Sequence, residues 1–419
     1  MKKRILYLLI TTVVLTSCKE QKTNNELAQK KIHQLTNANI NAEGVFLFSG
    51  ENEIIANWTA QEGQKKETIL MFSFFNKENK TFSEPIKITP AKGLQIHSES
   101  MAKVAITKSG VLFAFFRIKS KKSKSMYGGT LYYTTSTDRG QNWSHKKKLV
   151  TDEKSTSQSF YDITQLPDGK LGIIWLDNRK LHKDRKGQTL YFTKTNKNLE
   201  FKKEIALEGS VCQCCRTDIE IDKNNTIHIA FRNIIEPVEL GYPKFLMQSE
   251  TEIRDMYYIS SKDNGNTFTK AIPISDDNWQ VNGCPHTGPS VAHIYQTTGA
   301  AWFTGANDDM GLFFSSKSDT SFNERILVSK EGKHPQMIAT NGKFYIAYEE
   351  YYEANGKGYS KIILEERSSK NILKSLEISD PKTNNNHAVL KRVNENELVI
   401  SWINTDIRNA AVQYNVIQL

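Results

Sequence analysis

Cysteine is scarce in this chain. It has five in 419 residues, and after Cys18 the other four fall in two short segments, Cys212-Gln213-Cys214-Cys215 and Cys284. Beyond residue 15 no segment has the length and apolarity of a membrane-spanning helix. No helical period of convincing length follows either, which argues against a bundle or an α/β fold. The formal charge is +10, but the excess lies in short lysine runs such as Lys119–Lys124 and Lys146–Lys148, without interleaved aromatics. Such runs read as solvated loops, so no nucleic-acid partner is expected. With 38% hydrophobic residues, the chain can fill the core of one large β domain.

The N-terminus carries an address. Met1-Lys2-Lys3-Arg4 is a basic segment, and Ile5–Leu15 is a largely apolar run too short to span a bilayer. Leu15-Thr16-Ser17-Cys18 resembles the lipobox of bacterial lipoproteins. The resemblance implies a signal peptide over 1–17, lipid on Cys18, and a polar tether over 18–31. It places the chain in a bacterial cell envelope, lipid-anchored and periplasmic or surface-facing, with membrane lipid as partner through Cys18. An ordinary secretory signal with an incidental cysteine is the plainer alternative.

From residue 32 to 419 the sequence repeats. Second strands ending in aromatics recur at Ile54–Trp58, Leu112–Phe116, Gly172–Trp175, Ile227–Phe231, Gly299–Trp302, Phe344–Tyr348 and Leu398–Trp402. The spacing is that of four-stranded propeller blades. Two turns share the pattern S-x-D-x-G-x-x-[WF]: Ser136, Asp138, Gly140, Trp143 and Ser261, Asp263, Gly265, Phe268. Ser and Asp can satisfy turn N–H groups, Gly takes the positive-φ position, and the aromatic packs beneath. These turns resemble the Asp-box (BNR) repeat of sialidase-superfamily β-propellers. The expectation is an all-β propeller of four-stranded antiparallel blades, seven by this count, with the six blades of sialidases as the alternative. The last unit has only three strands, so one near Ile32–Ala42 is expected to close the ring.

First strands of blades line the axis, and the segments leading into them crowd one face. Those segments hold His97-Ser98-Glu99, Tyr161-Asp162, Cys212-Gln213-Cys214-Cys215-Arg216, Gly283-Cys284-Pro285-His286, His334-Pro335 and His387. Cys212, Cys214, Cys215, Cys284 and His286 are candidate ligands for a thiophilic metal, copper or zinc. Structural disulfides and a redox thiol pair are the competing readings. Trp279 is a further candidate for lining a site. Trp175, Trp302 and Trp402 read as core between blades, and His228 and His293 as core histidines.

The resemblance also implies sialidase chemistry: an arginine triad, a Tyr–Glu nucleophile pair and an acid Asp. Phe116-Arg117-Ile118-Lys119 is similar to the family's Phe-Arg-Ile-Pro motif, without the proline. On that reading Arg117 and Arg232 supply guanidinium groups and Asp177 and Glu349 carboxylates, with Arg179, Arg216 and Arg254 as further arginines. Ion pairing is the plain alternative for each. Tyr348 and Glu349 are adjacent, so their side chains diverge on a strand and no nucleophile pair is assigned. Three functions stay open: an anchored propeller binding a ligand or metal at its Cys/His-rich axial face, an exo-acting sialidase-type glycosidase acting on glycan, and a disulfide-stapled scaffold for another envelope protein.

Overall fold

Near-continuous apolar runs such as Leu112–Phe116 and Leu171–Leu176 form strands buried on both faces. That requires a sheet stacked on either side. The computed structural model describes residues 31–419 except 38–39, 63–65, 122, 124–127, 184, 237–251, 307–308 and 406–408. The signal segment, Cys18 and the tether up to residue 30 lie outside the described residues. Among the described residues the only helical element is a 3-10 turn, Thr89–Ala91. No helix there is long and apolar enough to cross a membrane. Ile32–Leu419 forms one compact unit.

The fold is an all-β propeller. Within a unit successive strands mostly pair antiparallel, as in Lys103–Ile106, Leu112–Lys119, Gly129–Ser136 and Lys147–Lys148. Two such runs, beginning at Gln158 and at Asp218, merge into a nine-stranded sheet where Val211 pairs with Asn233. The innermost strands are Asn41–Ser49, Lys103–Ile106, Gln158–Gln165, Asp218–Ile221, Ser290–Ile294, Gly332–Thr340 and Asn385–Asn394. Each contacts the next, and the last contacts the first, so they encircle an axis. The sheet of Asn385–Asn394 takes its outer strand from the other end of the chain: His33 pairs with Tyr414 and Gln34 with Gln413. Trp58, Trp175, Trp302 and Trp402 are fully buried, each contributing roughly 1.5–3 kcal/mol or more of apolar burial.

Innermost strands of neighbouring units do not pair with one another, so side chains satisfy their free backbone groups. Asn57 accepts the Val104 N–H at 2.7 Å, Asp162 the Ile219 N–H at 3.2 Å, Asp218 the Val291 N–H at 2.7 Å, and Ser290 the Met337 N–H at 3.0 Å. Asp162 also holds Lys103 in a buried ion pair at 2.5 Å. These polar links wall an axial cavity of about 480 Å³ lined by Lys103, Asp162, Asp218, Glu220 and Lys391 among others.

The two Asp-box turns close as their sequence requires. Ser136 Oγ donates to Asp138 at 2.8 Å and accepts the Gly140 N–H at 2.9 Å, while Asp138 accepts the Asn142 N–H at 2.9 Å. Ser261, Asp263, Gly265 and Thr267 repeat this at 2.8, 2.9 and 2.9 Å. Hydrogen bonds from Asn142 hold the Asp138 carboxyl down at about 2. Trp143 packs edge-on against Phe72, and Phe268 against Phe192, each ring belonging to the preceding unit. The turns are therefore locks between blades.

Candidate functional site

Four innermost strands are bulged near their starts, between Glu43 and Phe46, Ser159 and Asp162, Lys333 and Gln336, and Asn386 and Val389. Inside each bulge one residue is left-handed: Gly44, Phe160, His334 and His387, with φ of 64°, 45°, 51° and 53°. His334 and His387 thus stand within strands, not in the segments leading into them. A bulge swings its extra residue out of the pleat, and at these two positions that residue is histidine. Tyr161, beside the second bulge, is buried and donates to the Phe115 carbonyl at 3.0 Å, so it serves packing.

The bulged histidines meet a set of carboxylates. His334 Nδ1 lies 2.7 Å from Glu349, and the His387 backbone N–H donates to the other Glu349 oxygen at 2.8 Å. The two rings stack with centroids 4.5 Å apart. Glu99, only 3% exposed, sits 3.5 Å from His387 Nε2 and 3.6 Å from Arg216 Nη1. Arg216 is anchored by donating to the Pro335 carbonyl at 2.9 Å. Burial works against charge on both His334 and Glu349, but each offsets this for the other: Glu349 is held down at about 2 and His334 above its ordinary range. Burial, then the His334 charge, pushes His387 down. His97 reaches the same cluster: its ring is 5.7 Å from that of the exposed His286, and burial with the Arg117 charge lowers it to about 4.

A second cluster is made of sulfur. Cys212, Cys214 and Cys215 are buried, with Cys212 Sγ 3.6 Å from Cys214 Sγ and 3.1 Å from Cys215 Sγ. Arg254 Nη1 points at Cys212 Sγ (3.5 Å), Cys214 Sγ (3.7 Å) and the Gly283 carbonyl (2.6 Å). Hydrogen bonds from Cys214 and Cys215, then the Arg254 charge, draw Cys212 well below the ordinary thiol range. Interaction with that sulfur pushes Cys214 up, and burial pushes Cys215 up. Of the other expected ligands, Cys284 is exposed and free and His286 is exposed, and neither joins this three-sulfur group. Their segment still touches it through Gly283 and Arg254.

The glycosidase candidates scatter. Asp177 accepts bonds from Ser155, Trp175 and Arg179 at 2.7, 3.2 and 2.8 Å. Fully buried Arg232 donates to the Arg254 and Phe303 carbonyls at 3.1 and 2.7 Å beneath Trp279, which is itself buried. Arg117 donates to Ser100 Oγ at 3.2 Å. Of these candidates Glu349 and Arg216 reach the histidine cluster. His228 is buried, with Nε2 3.3 Å from Asp222 and Nδ1 on the Tyr258 hydroxyl, and its ring stacks on that of His293 at 3.3 Å. Asp222 and His293 face the axial cavity. His334 meets Glu349 across a bulged hairpin, and Arg254 reaches Cys212 from 42 residues away; no local sequence pattern announces either.

Comparison with known proteins adds scale. The profile of a family described as a BNR repeat-like domain matches residues 52–370. No curated protein matches the chain in sequence. Among solved structures, the polysaccharide lyase Uly1 is similar at 11% identity, covering 90% of this chain and 90% of that one, with a TM-score of 0.56. An ulvan lyase is similar at 9% identity, covering 90% and 94%, with a TM-score of 0.55. A Hadza microbial sialidase, Hz136, is similar at 11% identity, covering 88% and 74%, with a TM-score of 0.48.

Proposed function

Because the chain belongs to the BNR repeat-like domain family, whose repeats build a scaffold without dictating its chemistry, we propose its function from the site. It is an exported propeller, with seven blades and a lipid anchor at Cys18, that binds a thiophilic metal through Cys212, Cys214 and Cys215. The metal is copper or zinc, since thiolates favour both. One observation carries this reading: two buried sulfurs lie 3.1 and 3.6 Å from the buried Cys212 Sγ, beside a fixed cation. Sulfurs around a tetrahedral ion with bonds of about 2.3 Å lie roughly 3.8 Å apart, so small rotations admit one.

Elemental analysis with thiol counting on the purified protein tests it. The expected result is bound copper or zinc of which one equivalent is lost in Cys212→Ser. A protein that binds neither metal and yields one disulfide would favour the scaffold reading.

The second reading is an enzyme acting on carbohydrate, as the names of the structurally similar lyases and sialidase suggest. The cluster of Glu99, Arg216, His334 and Glu349 favours it. For the sialidase version we expect no appreciable release of sialic acid from simple α-sialosides, because Asp177 and Arg232 are engaged elsewhere. Robust turnover abolished by Arg117→Ala would put the glycosidase first.

A further inference from the structure

We propose that the propeller carries a second metal site of different chemistry, formed by Glu99, His334 and His387 and suited to a divalent ion of the zinc class. It does not rest on the sulfur cluster.

Glu99 supplies the first argument. Its side chain is 3% exposed, yet neither carboxylate oxygen accepts a hydrogen bond. An ionised carboxylate so placed costs several kcal/mol unless a cation is close. The groups that face it stand off, His387 Nε2 at 3.5 Å and Arg216 Nη1 at 3.6 Å. Arg216 cannot simply close the gap while it donates to the Pro335 carbonyl. A separation of 3.5 Å is long for an N–H···O bond. It suits two ligands of one tetrahedral ion: with bonds of about 2.0–2.1 Å, neighbouring donor atoms lie roughly 3.3–3.4 Å apart. One donor atom from each of Glu99, His334 and His387 lies within 4.8 Å of the other two.

Orientation supplies the second. Glu349 binds His334 Nδ1 and the His387 backbone N–H with its two oxygens. Holding the proton at Nδ1 directs the lone pair of a neutral His334 to Nε2, the relay in which a carboxylate orients a metal-binding imidazole. The ion would replace the Nε2 proton now facing the His286 carbonyl at 3.2 Å. The two bulges fix both rings in one stack. Two histidines and one glutamate leave a coordination position open, the pattern of zinc sites that keep a water.

The test is a Co2+ titration of the chelator-stripped full chain, read by equilibrium dialysis and by absorption. Thiolate ligands add an intense charge-transfer band that nitrogen and oxygen ligands lack. The full chain should bind two ions, one with that band. Cys212→Ser/Cys215→Ser should bind one ion without it. Glu99→Gln should keep the thiolate ion and lose the other, and Glu349→Gln should weaken that other ion roughly 10–100-fold. A folded double-cysteine variant that binds nothing, or a Glu99→Gln protein with unchanged stoichiometry, overturns the proposal. If the double variant does not fold, Glu99→Gln decides alone. A full chain binding a single ion sinks this site if the band is present, and sinks the sulfur site if it is absent.

Discussion

Arg254 Nη1 stands 3.5 Å from Cys212 Sγ, and its Nη2 is held by Glu252 at 2.7 Å. The guanidinium is therefore fixed before any ligand arrives. It offsets the negative charge of the sulfurs and ties the Cys212–Cys215 turn to the segment carrying Cys284. Outer partners of this kind orient ligands and typically carry 10–100-fold in metal affinity. Arg254→Gln should weaken Cu(I) binding by roughly that factor, measured by competition with a chromophoric chelator. Affinity within twofold of the wild type would remove Arg254 from the site.

The locks between blades make a prediction for stability. Gly140 has φ +89°, and a Cβ there would lie 2.5 Å from Phe72 Cζ; Gly93 has φ +77° with open space around it. Both alanine variants pay for the left-handed backbone, roughly 1–3 kcal/mol. Gly140→Ala must also displace the ring of the neighbouring unit. Urea denaturation should show it less stable than Gly93→Ala, and equal midpoints would contradict the packing account.

The axial cavity makes a prediction for pH. Burial raises Glu220 to about 7, with Asp218 and Asp162 adding repulsion while Lys391 and Arg392 oppose it. A carboxyl raised in the folded state keeps its proton there to higher pH than in the unfolded chain. Its contribution is therefore most favourable below about 4.5 and is lost as pH rises through about 7. Glu220→Gln removes that loss. Its melting temperature should fall less than the wild type's between those values, with Asp218, itself raised to about 6, supplying the remaining slope. Parallel profiles would show that Glu220 titrates normally.

The anchor is tested at its thiol. Cys18→Ser should abolish lipid attachment and leave the protein unprocessed or released, because one acyl chain binds a membrane only marginally and several hold it firmly. Processed Cys18→Ser protein that still sediments with membranes would contradict the lipobox reading.

The fold was legible where its chemistry is local. Ser136, Asp138 and Gly140 fall within one turn and close it with their own side chains, so pattern alone located them. The buried second strands announced themselves through apolar runs ending in an aromatic residue. The site was legible as residue types but not as contacts. Cys212, Cys214 and Cys215 are close in sequence and meet; Glu99 and His387 come from opposite ends of the chain and meet only because the ring closes. His334 and His387 read as loop residues, because a bulge leaves no period to detect. Asp177 and Arg232 read as candidate functional groups, because a sequence does not show that Trp175, Arg179 or a carbonyl already occupies them.

The central claim is that the three buried cysteines hold a metal. X-ray absorption at the copper and zinc edges, on protein purified without added metal, tests it most directly. The account predicts a sulfur shell, at about 2.3 Å for zinc, that disappears in Cys212→Ser. A shell of nitrogen and oxygen alone, or a metal-free protein with Cys212 joined to another cysteine at about 2.05 Å, would contradict it.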